Sequence, residues 1–243
     1  MIDLHNHILR YVVPVHRTEP DIDTAITMAR IAAEDGVRVI VSTPHLRPSE
    51  LGTGLPEIVQ LMHDGVERLN ELLSEHGIDV RVVGGAEIAL CEGLADLARD
   101  GLLPALGGGD HLMIELPVAG YAAYAEQALF ELQLAGFTPV IAHFERMAIS
   151  PAAEARPEEL VARGIKLQVN AGSFCGVGGR DVARLARRLV GDGLVSGLGS
   201  DAHDPEEKPP LLTRCRRAVD RAGGRGTFER LTWEEPLGII GEG

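Results

Sequence analysis

Residues 1–8 read MIDLHNHI. An apolar run of β-type residues ends in two histidines two positions apart, and an extended strand points such a pair to one face. Moving outward, apolar and β-branched runs recur: VRVIVST (37–43), VRVVGGAEI (80–88), HLMIELP (111–117), TPVIAHF (138–144), IKLQVNA (165–171) and LVSGLGS (194–200). Near-continuous apolar runs of this length are what strands buried on both faces of a parallel sheet require. Helical patterns lie between most of them, predicted over 21–34, 55–76, 121–135, 157–163 and 181–192, and several stop just before a glycine. Two more close the chain, at 211–222 and 227–240. Seven strands alternating with helices, without a linker or a shift in composition, predict one α/β domain over residues 1–243.

In parallel α/β folds, chemistry gathers at the carboxyl ends of the strands. The ionisable residues there form a pattern. The first strand ends in His5 and His7, the second in His45; the third carries Glu87, the fourth Glu115 and the fifth His143; the seventh leads to Asp201 and His203. Glu87 to Glu115 and Glu115 to His143 are both 28 residues, so each returns to the same end of the sheet after one strand-helix unit. An open sheet would string these side chains out in a line. Closure brings the first and seventh strands together, so the expected architecture is a barrel.

One lone histidine in a strand is most simply a hydrogen-bonded core residue. Five imidazoles and three carboxylates at matching positions are a different matter, because burying Glu87, Glu115 and Asp201 together without cations is costly. Nitrogen and oxygen ligands without thiolate suit Mn, Fe or Zn, and the number of ligands implies at least two divalent ions. His63 and His76 fall on the second helix, and His111 follows a glycine-rich turn.

Composition narrows the function. Of 243 residues 45% are hydrophobic and 24% charged, ordinary globular values, and the formal net charge of −13 disfavours nucleic acid and anionic membrane as partners. No apolar run approaches the roughly 18–20 residues that span a bilayer, and the N-terminus lacks the pattern of a signal peptide, so a cytoplasmic protein is expected. Cys91, Cys175 and Cys215 form no CxxC pair. Cys215 and Arg221 match the C-x5-R spacing of cysteine phosphatases, but the residues between them hold no glycine and lie in a helical run.

MIDLHNHI, STPH (42–45), GGAEI (84–88), MIELP (113–117), AHFER (142–146) and SDAH (200–203), in this order, resemble the polymerase and histidinol phosphatase (PHP) superfamily. Within it the chain is most similar to the bacterial capsule-type, metal-dependent protein-tyrosine phosphatases; QVNAGSF (168–174) and the terminal EEPLGII also fit. The resemblance implies a distorted (β/α)7 TIM-like barrel, the PHP fold, with the metal site at the strand C-termini. It implies that His5, His7, Glu87 and Asp201 bind one metal, that Glu87, Glu115 and His143 bind a second, and that His45 and His203 belong to a third. Arg146 matches an arginine that holds the substrate phosphate, a role suited to a planar guanidinium.

Two positions depart from that pattern. The loop after the histidine pair normally carries adjacent aspartates, one of them a ligand of the third metal, yet residues 9–18 here contain no acidic residue. His16 and Glu19 are the candidate substitutes. Lys208 stands before Pro209 and Pro210 where an arginine is usual, keeping the charge without the bidentate fork.

The implied activity is metal-assisted hydrolysis of a phosphomonoester, with Arg146 and Lys208 positioning the phosphate and His45 or His203 giving a proton to the leaving oxygen. The implied substrate is the phosphorylated, tyrosine-rich tail of a tyrosine autokinase of capsule or exopolysaccharide synthesis. Tyr11 and Phe144 are candidates for stacking on the phenol ring. Three alternatives compete: a small-molecule phosphatase of the histidinol-phosphate type, a polymerase-type nuclease, which the net charge disfavours, and a metal-binding regulatory protein without turnover.

Overall fold

The computed structural model describes residues 1–11, 21–117, 124–149 and 156–242. His16 and Glu19 lie outside this set.

All strand pairings among the described residues are parallel. β1 (Ile2–Asn6), β2 (Val39–Ser42) and β4 (Arg81–Val83) form one sheet, ordered β1-β2-β4. The second sheet runs β3 (His45–Leu46), β5 (Glu87–Ala89), β6 (His111–Glu115), β7 (Thr138–Ile141), β8 (Lys166–Asn170) and β9 (Gly197–Gly199). The seven expected strands therefore become nine segments, because the second and third are each broken. Pro44, without an N–H to donate, stands between β2 and β3, and Gly84-Gly85-Ala86 separates β4 from β5. At both breaks the chain leaves the first sheet and enters the second. Leu106 fills the bend: a Cβ on Gly85 would lie 2.7 Å from its Cδ2. Glu87 N–H donates to the carbonyl of Pro44 across the break at 3.0 Å.

The ends of the two sheets approach each other. Asp201 N–H donates to the His5 carbonyl at 2.8 Å, and His7 N–H to the Ala202 carbonyl at 2.9 Å. Asp3 fastens the same seam, accepting from the backbone N–H of Ser200 at 2.7 Å and from its hydroxyl at 2.6 Å. The result is a curled parallel sheet whose first and last strands are neighbours.

The helices follow the sequence patterns closely. Asp21 caps Ile22–Glu34, its carboxylate accepting from Thr24 N–H at 3.2 Å. Leu55–Glu75 ends one residue short of the prediction, with His76 as its cap. Of the helix predicted over 121–135, Ala125–Leu134 is seen. Pro157–Ala162 and Arg180–Gly191 agree to within one residue at each end. The helix predicted over 211–222 begins later, as a 3-10 turn at Thr213–Cys215 running into Arg216–Gly223. The last stretch winds through a π turn, Arg230–Glu234, just before Pro236, whose missing N–H forbids an ordinary helical bond there. Leu94–Arg99 and the single turn Ala171–Phe174 were not legible in the periodicity, since neither is long enough to show one.

Two apolar clusters hold these layers. The larger joins outward strand residues such as Ile40, Ile88, Leu112, Ile114 and Leu167 to helical residues such as Met28, Leu69 and Leu129. The smaller draws on strands of both sheets (Ile2, Leu4, Val39, Val41, Met113, Val140) and on Leu106, Ile239 and Ile240, so it lies inside the curl. A register shift between Asp3 and Asn6 falls where β1 passes from Leu4, in this inner cluster, to His5. Such an irregularity re-aims the side chains that follow it.

Gly199 sits where the seam is tightest: a Cβ there would lie 2.5 Å from His5 Cβ and 2.9 Å from the His5 backbone nitrogen. Neither atom can swing aside. Gly199→Ala is expected to cost about 1–3 kcal/mol of stability, the range of an overpacked core. A urea midpoint unchanged from the parent protein would refute this account of the seam.

Candidate metal centre

The eight strand-end residues form one cluster centred on Glu87. Its Oε2 lies 3.3 Å from His5 Nε2, 3.4 Å from His7 Nε2 and 2.9 Å from His45 Nδ1, and its Oε1 is 2.7 Å from His143 Nε2. His5 and His7 face each other at 3.1 Å between their Nε2 atoms. Asp201 Oδ1 approaches His7 Nε2 at 3.2 Å and His203 Nδ1 at 3.4 Å. Glu115 is more distant, 3.8 Å from His143 and 4.0 Å from His45. His45 and Glu87, expected at the end of one strand and within another, instead open β3 and β5 and stand opposite each other in register.

The cluster has a sealed half and an open half. His5, His7, Glu87, His143 and Asp201 are buried, whereas the side chains of His45, Glu115 and His203 are 32%, 27% and 21% exposed. Arg146 and Lys208 reach in from the rim, each about half exposed, to 4.0 Å and 3.9 Å from Asp201 Oδ2.

The electrostatics follow from this burial. Burial alone would depress the His5 imidazolium, but Glu87 and Asp201 outweigh it and raise its pKa to about 9. At His7 burial wins: reinforced by His5 and His203, it outweighs the hydrogen bond to Asp201 and the charge of Glu87 and pushes the pKa down to about 3. Glu87 stays ionised well below the usual carboxylate range despite its burial, because His5, His143 and His45 surround it. Burial and the neighbouring Glu87 raise Glu115. Glu87 Oε2 is buried without an aligned hydrogen-bond donor although three imidazole nitrogens surround it. Lone pairs pointing at one another across about 3 Å are the donor set of a cation site. His7, His45 and His203, the trio His5, His7 and Glu87, and the trio His45, Glu87 and Glu115 each bring ligand atoms within 4.8 Å of one another. The residues fit divalent ions.

Residues 1–241 match the family described as capsular polysaccharide synthesis, CpsB/CapC. The chain belongs to that family. It is 34% identical over 205 residues to the tyrosine-protein phosphatase YwqE of Bacillus subtilis, covering 84% of this chain and 78% of YwqE. It is 26% identical over 245 residues to the tyrosine-protein phosphatase CpsB of Streptococcus pneumoniae, covering 99% and 98% of the two chains. Among solved structures, one described with YwqE and CpsB as unique metal-dependent tyrosine phosphatases superposes with a TM-score of 0.85 at 28% identity, covering 100% of this chain and 95% of that one.

Behind the strand-end residues of this CpsB/CapC chain lies a buried polar layer that no single residue type announces in the sequence. Gln168 is its hub: Oε1 accepts from the backbone N–H of His143 at 2.7 Å and pairs with His5 Nδ1 at 3.2 Å, while Nε2 donates to Asn170 Oδ1 at 2.9 Å. Asn170 Nδ2 donates to Asp201 Oδ2 at 2.9 Å. With Nδ1 engaged, His5 presents Nε2 to Glu87, which is how an outer partner fixes a histidine ligand. His143 and Asp201 carry left-handed backbone, φ 33° and 53°, a conformation that side chains other than glycine adopt at a cost and that gathers at functional sites. The alternation of K-L-Q-V-N in β8 does show that Gln168 and Asn170 share a face, which is the one available signal.

Other sequence candidates fall away. Phe144 is 2% exposed and packs in the larger core, so it cannot stack on a substrate ring; nothing is described of the Tyr11 side chain. His63 lies with Asp64 and Glu67 on the exposed face of its helix, and His111 pairs with Asp110 at 2.8 Å. Cys215 is fully buried, and burial lifts its thiol to about 12, which makes it no nucleophile.

Two measurements check this arrangement. Gln168→Leu is expected to weaken metal affinity about 10- to 100-fold with the fold intact by circular dichroism; unaltered affinity would remove Gln168 from the design. Among the thiols of the native protein, exposed Cys175 should react with a maleimide first, half-buried Cys91 more slowly, and Cys215 only on unfolding.

Proposed function

We propose that this CpsB/CapC chain is a metal-dependent protein-tyrosine phosphatase, with residues 1–243 acting as one catalytic unit of distorted (β/α)7 barrel form in the cytoplasm. The observation that carries the proposal is the gathering of five imidazoles and three carboxylates in one cluster, four of the imidazoles on Glu87 itself, with Arg146 and Lys208 on the open side. Two to three divalent ions (Mn, Fe or Zn) are the cofactors. His5, His7, Glu87 and Asp201 would hold one, Glu87, Glu115 and His143 a second, and His45 with His203 a third. Bound there, divalent ions supply Lewis acidity toward the phosphoryl oxygens and lower the pKa of a water.

The chain's own groups do the rest. Arg146 presents two N–H donors in a plane to the phosphoryl oxygens, and Lys208 adds a point charge beside it. Both lie within about 4 Å of Asp201, at the edge of the cluster. His45 and His203, the two imidazoles with appreciable exposure, are placed to hand a proton to the departing phenolate oxygen. The rim is open enough for a phosphorylated side chain on a flexible segment, and the family's tie to capsular polysaccharide synthesis supports the tyrosine-rich tail of an autokinase of that process as the substrate. A cavity of about 290 Å³ beside Arg146 and Lys208 also has room for a compact phosphomonoester, the second reading.

Hydrolysis of a phosphotyrosine peptide by freshly purified protein should vanish on chelation and return with added Mn, Fe or Zn. Bound metal without turnover on any phosphomonoester would leave only a regulatory, non-catalytic role, and a strong preference for compact esters would favour the second reading. Arg146→Ala should lower kcat/KM about 10²- to 10³-fold, the usual cost of removing a donor to developing oxyanion charge. Lys208→Arg should lower KM by restoring the fork.

A further inference from the structure

The cavity beside the metal centre contains one more cation than phosphate positioning requires. Its lining includes Arg146, Lys208 and Arg214. Arg146 and Lys208 each face Asp201 within about 4 Å. Arg214 does not: among the described residues no carboxylate comes within salt-bridge distance of its guanidinium, and the side chain is exposed. Its position is nevertheless defined. The turn Thr213–Cys215 carries it over the single turn Ala171–Phe174, where an added Cβ on Gly172 would stand 3.2 Å from its Nη2 and 3.3 Å from Val177 Cγ2. The absence of a side chain at Gly172 lets the guanidinium and Val177 close over the cavity wall.

A protein of net charge −13 repels an anionic substrate at long range, so attraction has to come from cations within a Debye length, about 8–10 Å. Glu207 is the one carboxylate besides Asp201 on this cavity's lining. Cys175, whose thiol meets the Arg214 carbonyl at 3.8 Å, also lines a second hollow with Arg180 and Arg187, the latter donating to the Ala183 and Phe174 carbonyls. Cations beyond the phosphate-positioning pair suit a chain carrying several anions better than a compact ester.

We infer that Arg214 forms a second oxyanion subsite, which grips a carboxylate or a further phosphate on the substrate chain next to the phosphotyrosine being hydrolysed. The inference rests on the phosphatase proposal and names the feature by which that site would select its protein substrate. Arg214 is a specificity-determining residue here, separate from the phosphate-positioning pair.

The test uses metal-loaded full-length protein and three phosphonate-stabilised phosphotyrosine peptides: neutral flanks, a glutamate neighbour, and a second phosphotyrosine neighbour. Binding is followed by fluorescence anisotropy, and kcat and KM are measured on the hydrolysable counterparts. At least one anionic neighbour should tighten binding about tenfold over the neutral peptide and lower KM in proportion with little change in kcat, as expected for a charge-assisted contact made equally in ground and transition states. Which peptide gains identifies carboxylate or phosphate as the partner. Arg214→Ala should abolish the gain, Arg214→Lys should restore part of it, and Arg221→Ala, an exposed arginine on the following helix, should leave it intact. Equal binding of all three peptides, a gain that survives Arg214→Ala, or one lost equally in Arg221→Ala would overturn the subsite. Hydrolysis of para-nitrophenyl phosphate reports separately on the phosphatase proposal: without it that proposal fails, while anisotropy still decides the role of Arg214.

Discussion

A carboxylate sealed from water and ringed by imidazoles is the constraint around which this protein is organised. Burying an ion costs several kcal/mol, which only good geometry from several partners offsets. Glu87 has four of them, delivered by three different segments: His5 and His7 from the end of β1, His45 from β3 and His143 from the turn after β7. Misplacing any one of these segments would leave charge buried and unpaired. The broken second and third strands follow from the same demand. Without the bends at Pro44 and at Gly84-Gly85, β3 and β5 would not leave the first sheet, and His45 and Glu87 would not stand face to face in register.

The sealed and open halves of the cluster divide the labour. The buried carboxylates of the cluster keep their charges because their neighbours compensate them, which is why Glu87 and Asp201 remain ionised against the effect of burial. Groups on the open side remain reachable by substrate: Arg146, Lys208, His45 and His203 all have solvent-facing atoms. Left-handed backbone at His143 and Asp201 marks the two points where the chain turns from a strand into the site. The strain there is sustained by bonds from elsewhere, Gln168 holding the amide of His143 and the carbonyl of His5 holding that of Asp201.

A second polar layer stabilises the first. Asp3, Asn6 and Ser200 tie the seam between β1 and β9, while Gln168, Asn170, Ser173 and Glu145 link β8 to the turn that carries His143. Glu145 is fully buried, accepts from the Asn170 amide and the Ser173 hydroxyl, and is shifted toward its neutral form by burial. Networks of this kind add less to stability than to uniqueness, since their bonds form in one arrangement only; both Glu145 bonds fall on Oε1, and Oε2 is buried without a partner among the described residues.

Much of this was legible in one dimension. Apolar runs and their spacing placed strands and helices, and the recurrence of His, Glu and Asp at strand ends picked out all eight residues that the fold brings together, because a repeating strand-helix unit returns to the same edge each time. Glycine and proline marked the helix ends, through backbone freedom and the missing N–H. What periodicity could not reveal depends on contacts distant in sequence. The splitting of two strands is decided by which neighbours they pair with; the hub role of Gln168 depends on His5 and His143, 163 and 25 residues away. Burial removed Phe144 and Cys215 from consideration, and the cavity that joins Arg214 to Arg146 and Lys208 exists only once three separate segments have packed. Residue types and their spacing determined which groups could act; packing decided which atoms meet, because distance, burial and hydrogen-bond direction are properties of the folded chain alone.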